Sequence, residues 1–218
     1  MGTVCRADVA IRFTRLEAMS LEPWIEELRL ETGCDEAGRG CLAGPVTAAS
    51  VILPPAFAVQ LVREGILDDS KKLSKKVRDA LRIRIESESV AWAVAHVSPA
   101  EIDQINILQA SLKAMREATK QLLVTPEFML IDGNHFVTED GLPPYECFIK
   151  GDGRFASIAA ASVLAKTHRD EAMMSRHAQH PQYGWDSNAG YPTKSHRQAI
   201  VSHGITPHHR HTFRQLPA

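Results

Sequence analysis

The stretch Asp35-Glu36-Ala37-Gly38-Arg39-Gly40 sets two carboxylates side by side and follows them at once with a glycine-flanked arginine. Adjacent acids repel each other, and a cation offsets that cost. Small glycines let another backbone approach closely. An acid pair beside an open backbone suggests a metal held against a phosphate; taken alone, an Asp-Glu pair also reads as an acidic surface turn. Gly38-x-Gly40-x-x-Ala43 fits the loose dinucleotide pattern, but β-branched, strand-like residues follow it where a helix should open. The acid expected about 20 residues on is missing, and Pro54-Pro55 lies near its place. Two acids beside the loop would also repel a pyrophosphate. The chain has no G-x-x-x-x-G-K-S/T, which excludes a P-loop.

Residues 30 to 34 lead into the acid pair as a short strand. Upstream, Ser20 reads as the N-cap of a helix over residues 20 to 29, with Leu21, Trp24, Ile25 and Leu28 on one face. Downstream, Val46 to Leu53 is β-rich and ends at the breaker Pro54-Pro55. Ser74 caps a helix running to about residue 88, and Val90 to Val97 alternates as a strand. Ser98-Pro99-Ala100-Glu101 opens a long central helix whose face is Ile102, Ile105, Leu108, Leu112, Met115 and Leu122. Phe128 to Ile131 is a short buried strand closed by Asp132-Gly133, and residues 134 to 147 read as loop or hairpin. A glycine-rich loop, Ile149 to Gly153, precedes an alanine-rich helix from Ser157 to about Arg176, and a short helix is expected near 194 to 203. Strands that come early and helices that cover them give an α/β layered domain with a more helical C-terminal part.

Composition bounds the function classes. The 218 residues are 44% hydrophobic and 23% charged, which excludes overall disorder. The net charge of −1 excludes a general basic coat, so any polyanion must be met by a local patch. Cys5, Cys34, Cys41 and Cys147 form no C-x-x-C and favour neither zinc nor a disulfide framework, which fits a reduced, cytoplasmic setting. No apolar run reaches the length of about 20 residues that a membrane span needs, so no membrane association is expected. Residues 1 to 18 lack an apolar signal segment and read as an extension, with Met19 a second candidate start.

Four carboxylates stand out. Asp35 and Glu36 end one strand, Asp132 ends another, and Asp170 lies in the helix after the glycine-rich loop. Acids at the carboxyl ends of neighbouring strands converge on one sheet edge, where α/β folds place their sites. Hard oxygen ligands suit Mg²⁺ or Mn²⁺ rather than zinc. Singly, Asp132 also reads as a turn residue and Asp170 as a solvated helix charge. Consecutive strand residues point to opposite faces, so either the strand ends between Asp35 and Glu36 or Glu36 takes part through its backbone carbonyl.

His203, His208, His209 and His211 lack cysteine partners and read as a solvated or phosphate-facing tail rather than zinc ligands. Lys71, Lys72, Lys75 and Lys76 are the densest basic patch, either a solvated helix start or a phosphate clamp; Lys150 and Arg154 flank the glycine-rich loop as similar candidates. Tyr191, in the rigid turn Gly190-Tyr191-Pro192-Thr193, is either core filler or an exposed ring for stacking on a sugar or base.

The string Asp35 to Gly40, with Leu42-Ala43-Gly44-Pro45, Asp69 to Leu73, Ile131-Asp132-Gly133, Lys150-Gly151-Asp152, Ser157 to Lys166, Arg169-Asp170 and Gly190 to Thr193, resembles type 2 ribonuclease H, the ribonuclease HII group, from about residue 31 to 213. Gly38-Arg39-Gly40 is similar to HII rather than to the sister HIII type. The resemblance implies a ribonuclease H-like mixed sheet flanked by helices, with a small helical C-terminal part. Residues 19–213 would be the catalytic domain, 1–18 an extension and 214–218 a tail. Asp35, Glu36, Asp132 and Asp170 would be the metal-binding catalytic acids. Gly38, Arg39 and Gly40 would contact the ribonucleotide through backbone groups, and Tyr191 would stack on the sugar of the next deoxynucleotide. Lys71, Lys72 and Lys150 would contact the substrate.

The implied activity is endonucleolytic cleavage of RNA in RNA–DNA hybrids and 5′ of single ribonucleotides in duplex DNA, leaving a 3′-hydroxyl and a 5′-phosphate. Two Mn²⁺ or Mg²⁺ ions roughly 3.5–4 Å apart would bracket the scissile phosphate, so no side-chain nucleophile is needed. A monomer suffices. Another two-metal nuclease of the same fold would keep the acids without needing Gly38-Arg39-Gly40 or Tyr191; the non-enzyme alternative is a binding module that has lost catalysis, and four intact acids argue against it. Cys34 and Cys41 depart from the family pattern, Cys41 standing where proline is common and leaving that turn looser.

Overall fold

In the computed structural model, which describes residues 21–67 and 73–216, a five-stranded mixed sheet forms the spine. Its strands are β1 (Glu31–Ala37), β2 (Val46–Ile52), β3 (Ala91–Val97), β4 (Phe128–Asp132) and β5 (Tyr145–Phe148), in the order β3-β2-β1-β4-β5. β1 pairs antiparallel with β2 and parallel with β4, and β4 pairs parallel with β5. Both faces are covered. Helices α1 (Pro55–Glu64), α2 (Lys75–Glu88) and α5 (Ala156–Gln179) pack on the face that presents Ala49 and Val51. Helices α3 (Pro99–Ile105) and α4 (Ile107–Lys120) cover the face that presents Cys34, Ala48 and Ile131. Burial on both sides explains why β2 reads as a continuous β-rich run rather than an alternating one. Two short helices, α6 (Trp185–Asn188) and α7 (Lys194–His203), build the C-terminal part around Tyr183, Trp185 and Ile200.

The closeness of α5 to β1 fixes the site. A Cβ on Gly33 would lie 2.1 Å from the backbone of Ser157, so only glycine permits this approach. Alanines 159, 160, 161 and 165 keep the helix surface low enough to follow. The C-terminal part docks onto the segment after the acid pair: Leu42 N–H donates to the Gly190 carbonyl at 2.8 Å, and Gly44 N–H to the His208 carbonyl at 2.8 Å.

Several expectations are corrected. Residues 21 to 29 form no helix, because tertiary partners take their backbone groups: the Glu31 carboxylate accepts from the N–H groups of Ile25 and Glu26 at 2.8 and 2.9 Å. Leu28, placed on the apolar face, is 97% exposed. The proposed cap Ser20 lies outside the described residues, as do residues 1–18. Pro55 does not merely end β2 but occupies the first turn of α1, where its missing N–H costs nothing. The long helix from residue 98 is two helices, broken at Asn106, whose φ of 66° is left-handed and whose side chain caps α4 by accepting from Leu108 and Gln109 N–H. The 134 to 147 segment is no hairpin, since its end becomes β5, parallel to β4. Of the residues assigned to the tail, Arg214 and Gln215 offer carbonyls to Arg197.

Candidate active site

Because β1 and β4 run parallel in register, with Cys34 opposite Ile131, their next residues, Asp35 and Asp132, emerge together at one sheet edge. Both line a cavity of about 290 Å³, together with Glu36, the Ala37–Gly40 backbone, Ser162, Lys166 and Tyr191. β1 does not end between the two acids; it continues through both, pairing Asp35 with Ala49 and Glu36 with Ala48. Both nevertheless line the one cavity.

Each acid is held. Asp35 is buried, accepts from Glu36 N–H at 2.7 Å and is bonded by the Ser162 side chain. Burial pushes its carboxyl well above the usual carboxylate range, and the charges of Glu36 and Asp132 push it further. Burial also raises Glu36, although Arg39 opposes this with an ion pair at 3.1 Å. Asp132 accepts from Gly151 N–H at 2.7 Å, which explains the glycine-rich loop. Asp170 stands apart: one turn along α5 from Lys166, it is clasped by that ammonium at 2.5 and 2.6 Å. Burial raises the Tyr191 phenol above its ordinary value, and the nearby Asp170 charge adds a smaller push in the same direction.

Among the described residues no three His, Cys, Asp or Glu side chains already form a metal-holding group. The donors nevertheless fit a hard cation. Asp35, Glu36 and Asp132 offer carboxylate oxygens whose mutual repulsion a divalent ion would relieve, and such donors suit Mg²⁺ or Mn²⁺.

The loop Gly38-Arg39-Gly40 is braced by two buried arginines. Arg210 donates to the carbonyls of Gly38 and Arg39, each at 2.7 Å, and to Gly44 at 3.1 Å. Arg169 donates to Pro45, Ala189 and Ala43, and its side chain occupies the space that a Cβ on Gly38, at φ 91°, would need. Desolvation lowers Arg210 to about 10, still charged at neutral pH. Tyr191 is 38% exposed, with the Arg169 guanidinium 5.8 Å from its ring centre and its hydroxyl bonded to the Cys41 thiol. Cys41 is thus fully buried against the tyrosine.

Of the other sequence candidates, Lys71 and Lys72 lie outside the described residues. Lys75 is paired with Asp79 at 2.7 Å, and Lys76 is exposed. Lys150 is exposed beside Gly151, off the cavity wall. The histidine tail is corrected: His209 is fully buried, as is His196, while His203 and His211 are exposed. Sequence reading assigned no role to Ser162, Lys166, Arg169 or Arg210. The first two had a signal, the four-residue spacing 162, 166, 170 along one helix face. A surface-typed residue such as Arg210, buried by contacts across 171 positions, had none.

No described helix is long and apolar enough to cross a membrane. The sequence profile of the family described as Ribonuclease HII matches residues 32–216. Ribonuclease HII of Parabacteroides distasonis is 56% identical over 197 residues, 90% of this chain and 96% of that protein. The structure of a PCNA:RNase HII complex from Archaeoglobus fulgidus superposes with a TM-score of 0.71 at 25% identity, over 85% of this chain and 95% of that one. Bst-RNase HIII in complex with Mn²⁺ shares the fold at a TM-score of 0.68 and 17% identity, over 86% of this chain and 68% of that one. With a match across most of its length, the acid-lined sheet edge in place and the Gly-Arg-Gly loop beside it, this chain belongs to the ribonuclease HII family and is an endoribonuclease.

Proposed function

We propose that the protein cleaves RNA in RNA–DNA hybrids and cuts duplex DNA on the 5′ side of a single embedded ribonucleotide, leaving a 3′-hydroxyl and a 5′-phosphate. The observation that carries this reading is one cavity lined by Asp35, Glu36 and Asp132 together with Gly38–Gly40 and Tyr191. Acids alone would suit any phosphodiester; a backbone loop and an aromatic ring beside them suit a site that must test for a 2′-hydroxyl.

Asp35, Glu36, Asp132 and Asp170 are the proposed ligands of two Mg²⁺ or Mn²⁺ ions. Ions held there would supply an activated water and neutralise charge on the leaving 3′ oxygen. The chain's own groups do the rest. Ser162 and Gly151 N–H aim Asp35 and Asp132, and Lys166 holds Asp170 one helical turn away. Arg210, by holding two carbonyls of the loop, keeps its backbone rigid where the ribose is read. Tyr191 offers its half-open ring to the sugar of the next deoxynucleotide, and that contact marks the RNA–DNA junction. Lys71, Lys72 and Lys150 meet backbone phosphates. The catalytic unit, residues 19–213, works as a monomer in the cytoplasm, consistent with buried free cysteines at 34 and 41.

The test is a map of the cut. An end-labelled DNA duplex with one ribonucleotide should give a single break on its 5′ side, with a 3′-hydroxyl and 5′-phosphate, while an all-DNA duplex stays whole. Cleavage of the all-DNA duplex would assign a general nuclease, and a break on the 3′ side would contradict the proposed phosphate position.

A further inference from the structure

Behind Tyr191 lies a buried polar chain that the proposed chemistry does not use. Thr206 N–H donates to Nδ1 of His209 at 2.9 Å, so that nitrogen carries no proton. The proton of neutral His209 is therefore on Nε2, which lies 3.3 Å from Nε2 of His196 and donates to it. The Trp185 indole N–H donates to the same His196 nitrogen at 3.0 Å. With Nε2 an acceptor from two sides, His196 carries its proton on Nδ1, 2.9 Å from the Tyr191 carbonyl oxygen. Donors and acceptors run in one sense from Thr206 to Tyr191, and each ring has one permitted tautomer.

Burial keeps both rings neutral, lowering His209 to about 4 and His196 below its ordinary value. The Tyr191 carbonyl already accepts from Thr193 N–H at 2.8 Å, so it has no need of an imidazole for satisfaction. An apolar side chain would fill the same core without the desolvation of three polar rings. What the imidazole adds is direction: a second bond, fixed by two more, at the residue whose ring faces the cavity.

We propose that His196 is a positioning residue for Tyr191, its Nδ1–H locked by His209 and Trp185 so that the tyrosine ring is held at the substrate cavity. The proposal rests on the reading of Tyr191 as the junction sensor. His196 touches no substrate and acts only through the tyrosine backbone.

Two variants separate position from packing. Asparagine places an amide N–H where His196 has Nδ1; glutamine places its amide at Nε2 and leaves the tyrosine without its donor. His196→Gln should lower kcat/KM on the single-ribonucleotide duplex about tenfold more than on a long hybrid, with His196→Asn restoring it to within about threefold. In a Tyr191→Ala background, His196→Gln should add nothing further. Equal losses on both substrates for a folded His196→Gln protein, or full additivity with Tyr191→Ala, would overturn the proposal. If Tyr191→Ala itself harms all substrates equally, the junction reading fails. The cycle is then scored on total activity, where non-additivity still supports positioning and additivity overturns it. The wild-type enzyme gives an answer independent of any variant's folding: imidazole ¹⁵N spectra should show His196 protonated at Nδ1 and His209 at Nε2. The opposite tautomers would overturn the chain.

Discussion

Asp35 sits where an unpaired charge is least welcome, buried at a strand end with Glu36 beside it and Asp132 on the next strand. Burial and mutual repulsion disfavour the charged forms of these acids, and a divalent ion would relieve that repulsion. Asp132 is the member to change, because its carboxylate is anchored by Gly151 N–H and its substitution by an amide keeps the volume. Asp132→Asn should abolish cleavage while leaving hybrid affinity within about threefold, since binding rests on phosphate contacts elsewhere. Gel-shift and cleavage assays on one preparation check both halves, and retained activity would remove Asp132 from the metal set.

At the scale of the element, the meeting of β1 and α5 carries the site, and its tightness is a property of Gly33. Gly33→Ala would drive a Cβ to 2.1 Å from the Ser157 backbone, a clash that no side-chain rotation relieves. We expect a loss of about 3 kcal/mol in urea unfolding, from forced separation of helix and strand. A loss under about 0.5 kcal/mol would mean the two elements slide apart freely. This contact also shows what the sequence could and could not reveal. The alanine-rich run announced a closely packed helix, and the acid pair after one short strand with Asp132 closing an apolar one announced the sheet edge. The break at Asn106 stayed hidden because the apolar spacing runs on across it, while one side chain's capping bonds set the local backbone. The helix after Pro54 stayed hidden because proline stops one element and starts another with the same chemistry. Arg210, buried on the Gly38 and Arg39 carbonyls, and His209, buried under Tyr183, were illegible because their environment is made by residues far away in sequence.

Over the whole molecule, the buried histidines couple folding to acidity. His209 is held near 4, against about 6.5 in the unfolded chain, so between these values the unfolded state binds the extra proton. Its contribution is complete above pH 6.5 and is lost as pH falls towards 4. From this group alone, unfolding free energy should drop by about 2 kcal/mol between pH 7.5 and pH 5. Urea melts at the two values measure the drop, and His209→Gln should shrink it; an unchanged pH dependence in the variant would assign the titration elsewhere.

Net charge near zero leaves phosphate binding to local cations. Replacing Lys71 and Lys72 together by alanine should lower hybrid affinity and reduce the slope of log affinity against log salt by about 1 to 2. A slope equal to that of wild type would make them ordinary surface charges.

The claim on which the account turns is that the acids at the sheet edge hold divalent ions, and titration calorimetry with Mn²⁺ in the absence of nucleic acid reads it without relying on cleavage. Wild-type protein should give a saturable isotherm, and Asp132→Asn should weaken it by about tenfold or more, because one charged oxygen ligand is gone. Identical isotherms for the two folded proteins would place the ions elsewhere and contradict the assignment of this cavity as the catalytic centre.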